Sequence, residues 1–144
     1  MEFRPDMPVL VVDDHAAMRM LLKRMMLKLG LTNTLDAEDG EKALDIITGG
    51  DIGLVISDWN MPFMSGIELL RRVRAREALS GLPFLMVTCE ALEANVLEAA
   101  SAGVSAYVVK PFSEQTLARK IEYLFGLRPK TLPLGGVEEA KPKR

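Results

Sequence analysis

Four short apolar runs, Val9-Leu10-Val11-Val12, Leu54-Val55-Ile56, Phe84-Leu85-Met86-Val87 and Tyr107-Val108-Val109, end abruptly on polar residues and are separated by long stretches of mixed polarity. Short runs rich in branched and aromatic residues are what strands buried on both faces require. A bilayer-spanning helix needs about 20 apolar residues, so none of these runs is one. Between them apolar residues recur every three or four positions: Met18, Leu21, Leu22, Met25 and Leu29; Ala43, Leu44 and Ile47; Ile67, Leu70 and Val73; Leu92, Val96 and Ala100; Leu117, Ile121, Leu124 and Phe125. That spacing predicts five amphipathic helices facing a sheet. A weaker strand, Asn33 to Ala37, completes a βα unit repeated five times.

Helix starts are marked where this scheme needs them. Ser65-Gly66-Ile67-Glu68 has capping-box spacing, Asp39 precedes the second helix, and Ser113 follows Pro111 before the last. Strands alternating with helices demand a parallel sheet with right-handed crossovers. The expected fold is α/β: a flavodoxin-like, doubly wound (βα)5 sheet of order 2-1-3-4-5 with helices on both faces. Its 144 residues suit one domain, expected over 1–127. Residues 128–144, with Pro129, Pro133, Gly135, Gly136 and Pro142, read as a flexible tail.

A formal charge of −2 leaves no basic excess to hold a phosphate backbone, which argues against nucleic acid as a partner. The lone Cys89 excludes an internal disulfide and a multi-cysteine zinc site. The start, Met1-Glu2-Phe3-Arg4-Pro5, lacks a signal-peptide core. A monomeric cytoplasmic protein without membrane contacts is expected.

Ligands on open α/β sheets bind outside the carboxyl ends of the strands, so what terminates each strand decides the chemistry. The first runs into Asp13-Asp14, the third into Ser57-Asp58, the fourth into Thr88 and the fifth into Lys110-Pro111. In the order 2-1-3-4-5, strands one and three are neighbours, which joins Asp13, Asp14 and Asp58; Thr88 and Lys110 fall on the side of Asp58 away from Asp13. Three carboxylates ~5 Å apart repel by roughly 3 kcal/mol per pair at an effective dielectric near 20, so they need a partner or protonation. A hard divalent cation such as Mg²⁺ suits their oxygen ligands. An ammonium and a hydroxyl beyond it suit phosphoryl oxygens. The reading is that Asp58 is a nucleophile accepting a phosphoryl group, Mg²⁺ offsets the charge, and Lys110 and Thr88 hold the oxygens.

Val11-Val12-Asp13-Asp14, Asp58-Trp59-Asn60-Met61-Pro62, Val87-Thr88 and Tyr107-Val108-Val109-Lys110-Pro111-Phe112, in that order, resemble the receiver domains of two-component response regulators. The resemblance covers about residues 7–127 and is strongest to the single-domain chemotaxis members. It implies that Asp58 takes its phosphoryl group from a phosphohistidine of a sensor histidine kinase of the chemotaxis type. It implies that Asp13, Asp14, Asp58 and the Asn60 carbonyl surround Mg²⁺, that Lys110 bonds the phosphoryl group, and that the Lys110–Pro111 bond is cis. Thr88 is then drawn to the phosphoryl oxygens and vacates space for the Tyr107 ring. Asn60 and Glu90 flank the water path that sets the phosphoryl lifetime, with a dedicated phosphatase as a further partner. Output would leave by the surface of helix four, strand five and helix five, towards a flagellar motor switch protein. By this resemblance the chain is a signalling receiver rather than an enzyme, catalysing only its own phosphoryl transfer and autodephosphorylation.

Leu92-Glu93 stands where the chemotaxis members carry a lysine pair, although Lys120 keeps its basic position; Cys89, Phe63 and the tail also depart from the pattern. A phosphorelay intermediate, a phosphate sink or a kinase-feedback regulator are therefore the alternative outputs. An Asp-nucleophile phosphatase is disfavoured, because Asn60 stands where such enzymes need a second acid. A flavin module is disfavoured because Asp13-Asp14-His15 cannot cradle a phosphate. His15, as an isolated imidazole, reads as structural or solvent-facing, and Trp59 as packing at the rim.

Overall fold

The computed structural model describes residues 2–133. Its elements run β1 (Val9–Val12), α1 (Ala16–Lys28), β2 (Thr34–Ala37), α2 (Gly40–Thr48), β3 (Leu54–Ser57), α3 (Gly66–Ala75), a 3-10 turn (Glu77–Leu79), β4 (Phe84–Thr88), α4 (Glu93–Ser101), β5 (Ala106–Val109) and α5 (Glu114–Leu124). The strands form one parallel sheet in the order β2-β1-β3-β4-β5. Every residue of β1, β3 and β4 is buried, as continuous apolar runs demand.

Alternate residues of each strand feed the two faces. Val9, Val11, Leu54, Ile56, Leu85, Val87 and Val108 pack with Leu22, Met25 and Met26 of α1 and Leu117, Ala118 and Ile121 of α5. Leu10, Val12, Val55, Phe84 and Met86 pack on the other face with Ala43 and Ile47 of α2, Ile67, Leu70 and Val73 of α3 and Ala99 of α4. Each fully buried aliphatic or aromatic side chain contributes about 1.5–3 kcal/mol, so the three central strands anchor the sheet.

Local signals start three helices. The side chains of Asp39, Ser65 and Ser113 accept the backbone N–H groups of Lys42, Glu68 and Thr116. The expected box at α3 is half made, since the Glu68 carboxylate turns to Arg72 at 2.9 Å instead of back to Ser65. In α4 the expected line Leu92, Val96, Ala100 does not face the sheet: Leu92 is the exposed N-cap and Ala99 is the buried residue. Small apolar residues lie all around this short helix, so spacing alone did not select the face that packs.

The residues just after α5 also depart from expectation. Arg128 to Pro133, read as the start of a flexible tail, lie against the domain: Leu132 is 5% exposed and joins the α1/α5 core. They are held by Glu122, itself buried, whose carboxylate accepts the backbone N–H groups of Lys130 (3.1 Å) and Leu132 (2.7 Å) and pairs with Arg119. The rest of the expected tail, 134–144, lies outside the described residues.

Candidate functional site

Strand register builds the site. Val12 pairs with Ser57, so Asp13 and Asp58 each follow a paired position on neighbouring strands. The backbone N–H of Asp58 donates to the Val12 carbonyl at 2.9 Å, and that of Asp13 to the Ala37 carbonyl at 3.2 Å. Thr88 pairs with Val109, and the Lys110 N–H donates to the Thr88 carbonyl at 2.8 Å. Four strand ends thereby open onto one hollow, and the Lys110–Pro111 bond is cis.

The two inner carboxylates are buried and similarly held. Asp13 is 1% exposed; its Oδ1 accepts the His15 backbone N–H at 2.8 Å, and its Oδ2 lies 3.1 Å from Lys110 Nζ. Asp58 is 7% exposed; its Oδ1 accepts the Trp59 N–H at 2.6 Å, and its Oδ2 lies 3.4 Å from the same ammonium. Each thus turns one oxygen to the backbone and one to Lys110. Burial works against charge on Lys110, but Asp58 and Asp13 outweigh it and hold its pKa above the ordinary lysine value.

Lys110 is not on the far side of Asp58 from Asp13, as strand order had suggested. Its backbone is there, at the end of β5, but its long side chain crosses the end of β4 and its ammonium bridges both acids. Attraction to two poorly hydrated carboxylates draws a flexible cation across the sheet edge.

Asp14 is exposed at the rim, and one donor atom from each of Asp13, Asp14, His15 and Asp58 lies within 4.8 Å of the others. Three carboxylates against one ammonium leave an excess of negative charge, and their oxygen chemistry fits a hard divalent cation. The Asn60 amide donates to Glu90 Oε2 beside this cluster. Thr88, fully buried, has its hydroxyl oxygen 3.3 Å from the Glu90 N–H that it accepts, and no hydrogen bond to Asp58. Tyr107 donates its hydroxyl to the Glu90 carbonyl at 2.7 Å and meets Trp59 edge to face at 6.5 Å. Burial first, then the carboxylates of Glu90 and Asp58, raise the Tyr107 pKa, so the phenol stays a donor. Thr88 and Tyr107 therefore converge on the backbone of one residue, Glu90.

Three supporting residues escaped the sequence reading. Arg19 donates to the Asp13 carbonyl at 2.7 Å and to Asp36 at 2.9 Å, fixing the turn that carries the acids. The Ser57 hydroxyl donates to the Asp58 carbonyl at 2.8 Å. Gly66 packs so closely that a Cβ there would lie 1.9 Å from the Asp58 carbonyl oxygen. Nothing local in the sequence marks the close approach at Gly66.

Residues 9–122 match the response regulator receiver domain family. The chain belongs to that family. It is 51% identical over 119 residues to a Pseudomonas aeruginosa protein named chemotaxis protein CheY, covering 83% of this chain and 96% of the relative. Chemotaxis protein CheY-3 of Vibrio cholerae is 47% identical over 120 residues, covering 83% of this chain and 92% of the relative. The solved structure of Vibrio cholerae CheY4 superimposes with a TM-score of 0.77 at 30% identity, over 83% of this chain and 98% of that one. Two-component signalling through phosphorylation is the general role of the family, and both of these curated relatives are named as chemotaxis proteins. No helix among the described residues is long and apolar enough to cross a membrane.

Proposed function

We infer that this protein is a cytoplasmic chemotaxis response regulator phosphorylated on Asp58 by a sensor histidine kinase. The supporting observation is the pair of buried acids, Asp13 and Asp58, each pinned through one oxygen by a backbone N–H and sharing the Lys110 ammonium through the other. Asp13, Asp14, Asp58 and the Asn60 carbonyl are the groups that would hold Mg²⁺. When bound, the ion would neutralise the carboxylates and the phosphoryl oxygens.

With Oδ1 bonded to Trp59, Asp58 keeps Oδ2 as its nucleophile. That oxygen forms a bond to phosphorus as the bond from phosphorus to the histidine nitrogen of the donor breaks, and the freed imidazole nitrogen takes up a proton. Lys110 lies beside Oδ2 and stabilises the charge arriving on the phosphoryl oxygens. An apolar hollow lined by Met18, Leu21, Cys89, Pro111 and Phe112 opens next to Lys110 and offers the donor domain a seat. Asn60 and Glu90, bonded to one another, stand where water must enter and set the lifetime of the acyl phosphate. Asn60 is an amide that cannot act as the acid a phosphomonoesterase needs.

The switch works through Glu90. A phosphoryl group that draws the Thr88 hydroxyl towards itself weakens the bond to the Glu90 N–H, and the same residue's carbonyl holds Tyr107. Phosphate thereby biases two arrangements of the β4–α4 connection. The change is read on a face where Leu92, Leu97, Val109 and Tyr123 are exposed and Lys120 is half-buried, by a motor switch protein.

The test combines labelling and binding. Acetyl phosphate with Mg²⁺ is expected to label the parent protein at one site and not Asp58→Asn. Beryllofluoride is expected to promote binding of the parent, but not of the variant, to the N-terminal peptide of a motor switch protein. Equal labelling of Asp58→Asn would overturn the phosphoacceptor assignment. Normal labelling without peptide binding would move the output to a relay, a phosphate sink or kinase feedback.

A further inference from the structure

His15 stands at the turn from β1 into α1, with φ −98° and ψ 115° and no side-chain capping bond. Its backbone N–H is committed to Asp13 Oδ1, which throws the imidazole back over the acids. Nδ1 lies 3.1 Å from Asp14 Oδ1 and 3.2 Å from Asp13 Oδ1. Among the described residues its one side-chain hydrogen bond runs to Asp13, although the side chain is 72% exposed.

The spread of the four donor groups is informative. An ion with bonds of about 2.0–2.2 Å places opposite ligands about 4–4.4 Å apart. Donor atoms of Asp13, Asp14, His15 and Asp58 that all lie within 4.8 Å of one another are close to what one coordination shell spans. Carboxylates and carbonyls favour hard ions, whereas a neutral imidazole adds most for borderline ions such as Ni²⁺ and Zn²⁺.

The geometry points to His15 as a metal-selectivity residue: its imidazole is a nitrogen ligand for borderline divalent ions at the acidic site, and contributes nothing to Mg²⁺ binding. This rests on the metal-site reading above. Mg²⁺ takes the oxygens and leaves the exposed ring free to swing away. For Ni²⁺ or Zn²⁺ the His15 Nδ1, already within 4.8 Å of the carboxylate donors, would supply a nitrogen ligand beside Asp58.

The chain has a single histidine, so tag-free protein gives one imidazole signal and an unambiguous test. Calorimetric titration with Ni²⁺ and with Mg²⁺, in the parent and in His15→Ala, reads selectivity; the long-range ¹H–¹⁵N spectrum during Zn²⁺ titration reads ligation. His15→Ala is expected to lower the Ni²⁺-to-Mg²⁺ affinity ratio by about ten-fold or more, with Mg²⁺ affinity held, and Zn²⁺ should displace one ring-nitrogen resonance that Mg²⁺ leaves in place. An unchanged ratio, or ring nitrogens unmoved by saturating Zn²⁺, would overturn the proposal and leave His15 as a brace for the carboxylates. Loss of Mg²⁺ and Ni²⁺ affinity in equal measure would do the same. No heat from either ion in the parent would instead sink the metal-site reading beneath it.

Discussion

Lys110 shows how one side chain balances two demands. Its ammonium lies between Asp13 and Asp58, so it stabilises the metal-free cluster while competing electrostatically with any cation that enters. Lys110→Ala is therefore expected to raise Mg²⁺ affinity by about ten-fold, the size of one lost charge repulsion at close range in a partly solvated site. The same variant should lose its response to beryllofluoride, because the ammonium beside Asp58 Oδ2 is then missing. Titration of Trp59 fluorescence with each reagent separates the two effects, and weaker Mg²⁺ binding would show that Lys110 positions the acids more than it competes for them. The Glu90 backbone is the other pivotal point: Thr88 and Tyr107 both bind it, so two side chains from different strands are coupled through one peptide unit.

At the scale of elements, the β3–α3 turn is the most constrained part of the site. The Gly66 N–H donates to the Trp59 carbonyl at 2.7 Å, and a Cβ at Gly66 would meet the Asp58 carbonyl oxygen at 1.9 Å. Gly66→Ala must move the backbone that carries Asp58. It is expected to cost about 3 kcal/mol in urea unfolding and to depress acetyl-phosphate labelling below what the stability loss explains. At the other end of the molecule, α5 holds Arg128 to Pro133 through Glu122. Burial raises the pKa of that carboxyl, but the Leu132 N–H, Arg119 and the Lys130 N–H outweigh it and hold the value below the ordinary glutamate range. The resulting stabilisation is complete above the unfolded-state pKa and is lost as pH falls through the lower folded-state value. Glu122→Gln should lose about 1–3 kcal/mol at neutral pH, because one N–H or the guanidinium is left facing an amide N–H. The gap from the parent should close as pH falls below about 4, near the unfolded glutamate value. A gap independent of pH down to acid unfolding would mean that Leu132 burial, and not the carboxylate, holds the segment.

For the whole molecule, the acidic cluster is a store of unfavourable charge that the fold tolerates because β1 and β3 are fully buried and cannot splay. By the proposed reading Mg²⁺ is expected to bind the assembled acids and not the unfolded chain. At a hundred times its dissociation constant it should add about 2.7 kcal/mol, raising the melting temperature by roughly 10 °C, and chelation should reverse the shift. A melting temperature unmoved by Mg²⁺ would mean that Lys110 already satisfies the cluster.

The sequence by itself determined the strands, the three capped helix starts and the acidic strand ends, because these follow from apolar periodicity and local capping; the order that gathers Asp13, Asp14 and Asp58 was taken over from the flavodoxin-like fold that a five-fold βα repeat suggests. Lys110 was correctly placed at the end of the fifth strand, yet its bridge to Asp13 was not legible, since the reach of a long side chain depends on the charges waiting across the sheet. The packed face of α4, the close approach at Gly66 and the Glu122 clasp were likewise decided by tertiary structure. In each case the partner lies far along the chain or on a face that spacing leaves open, and only three-dimensional packing brings the two within the few ångströms over which sterics and hydrogen bonds act.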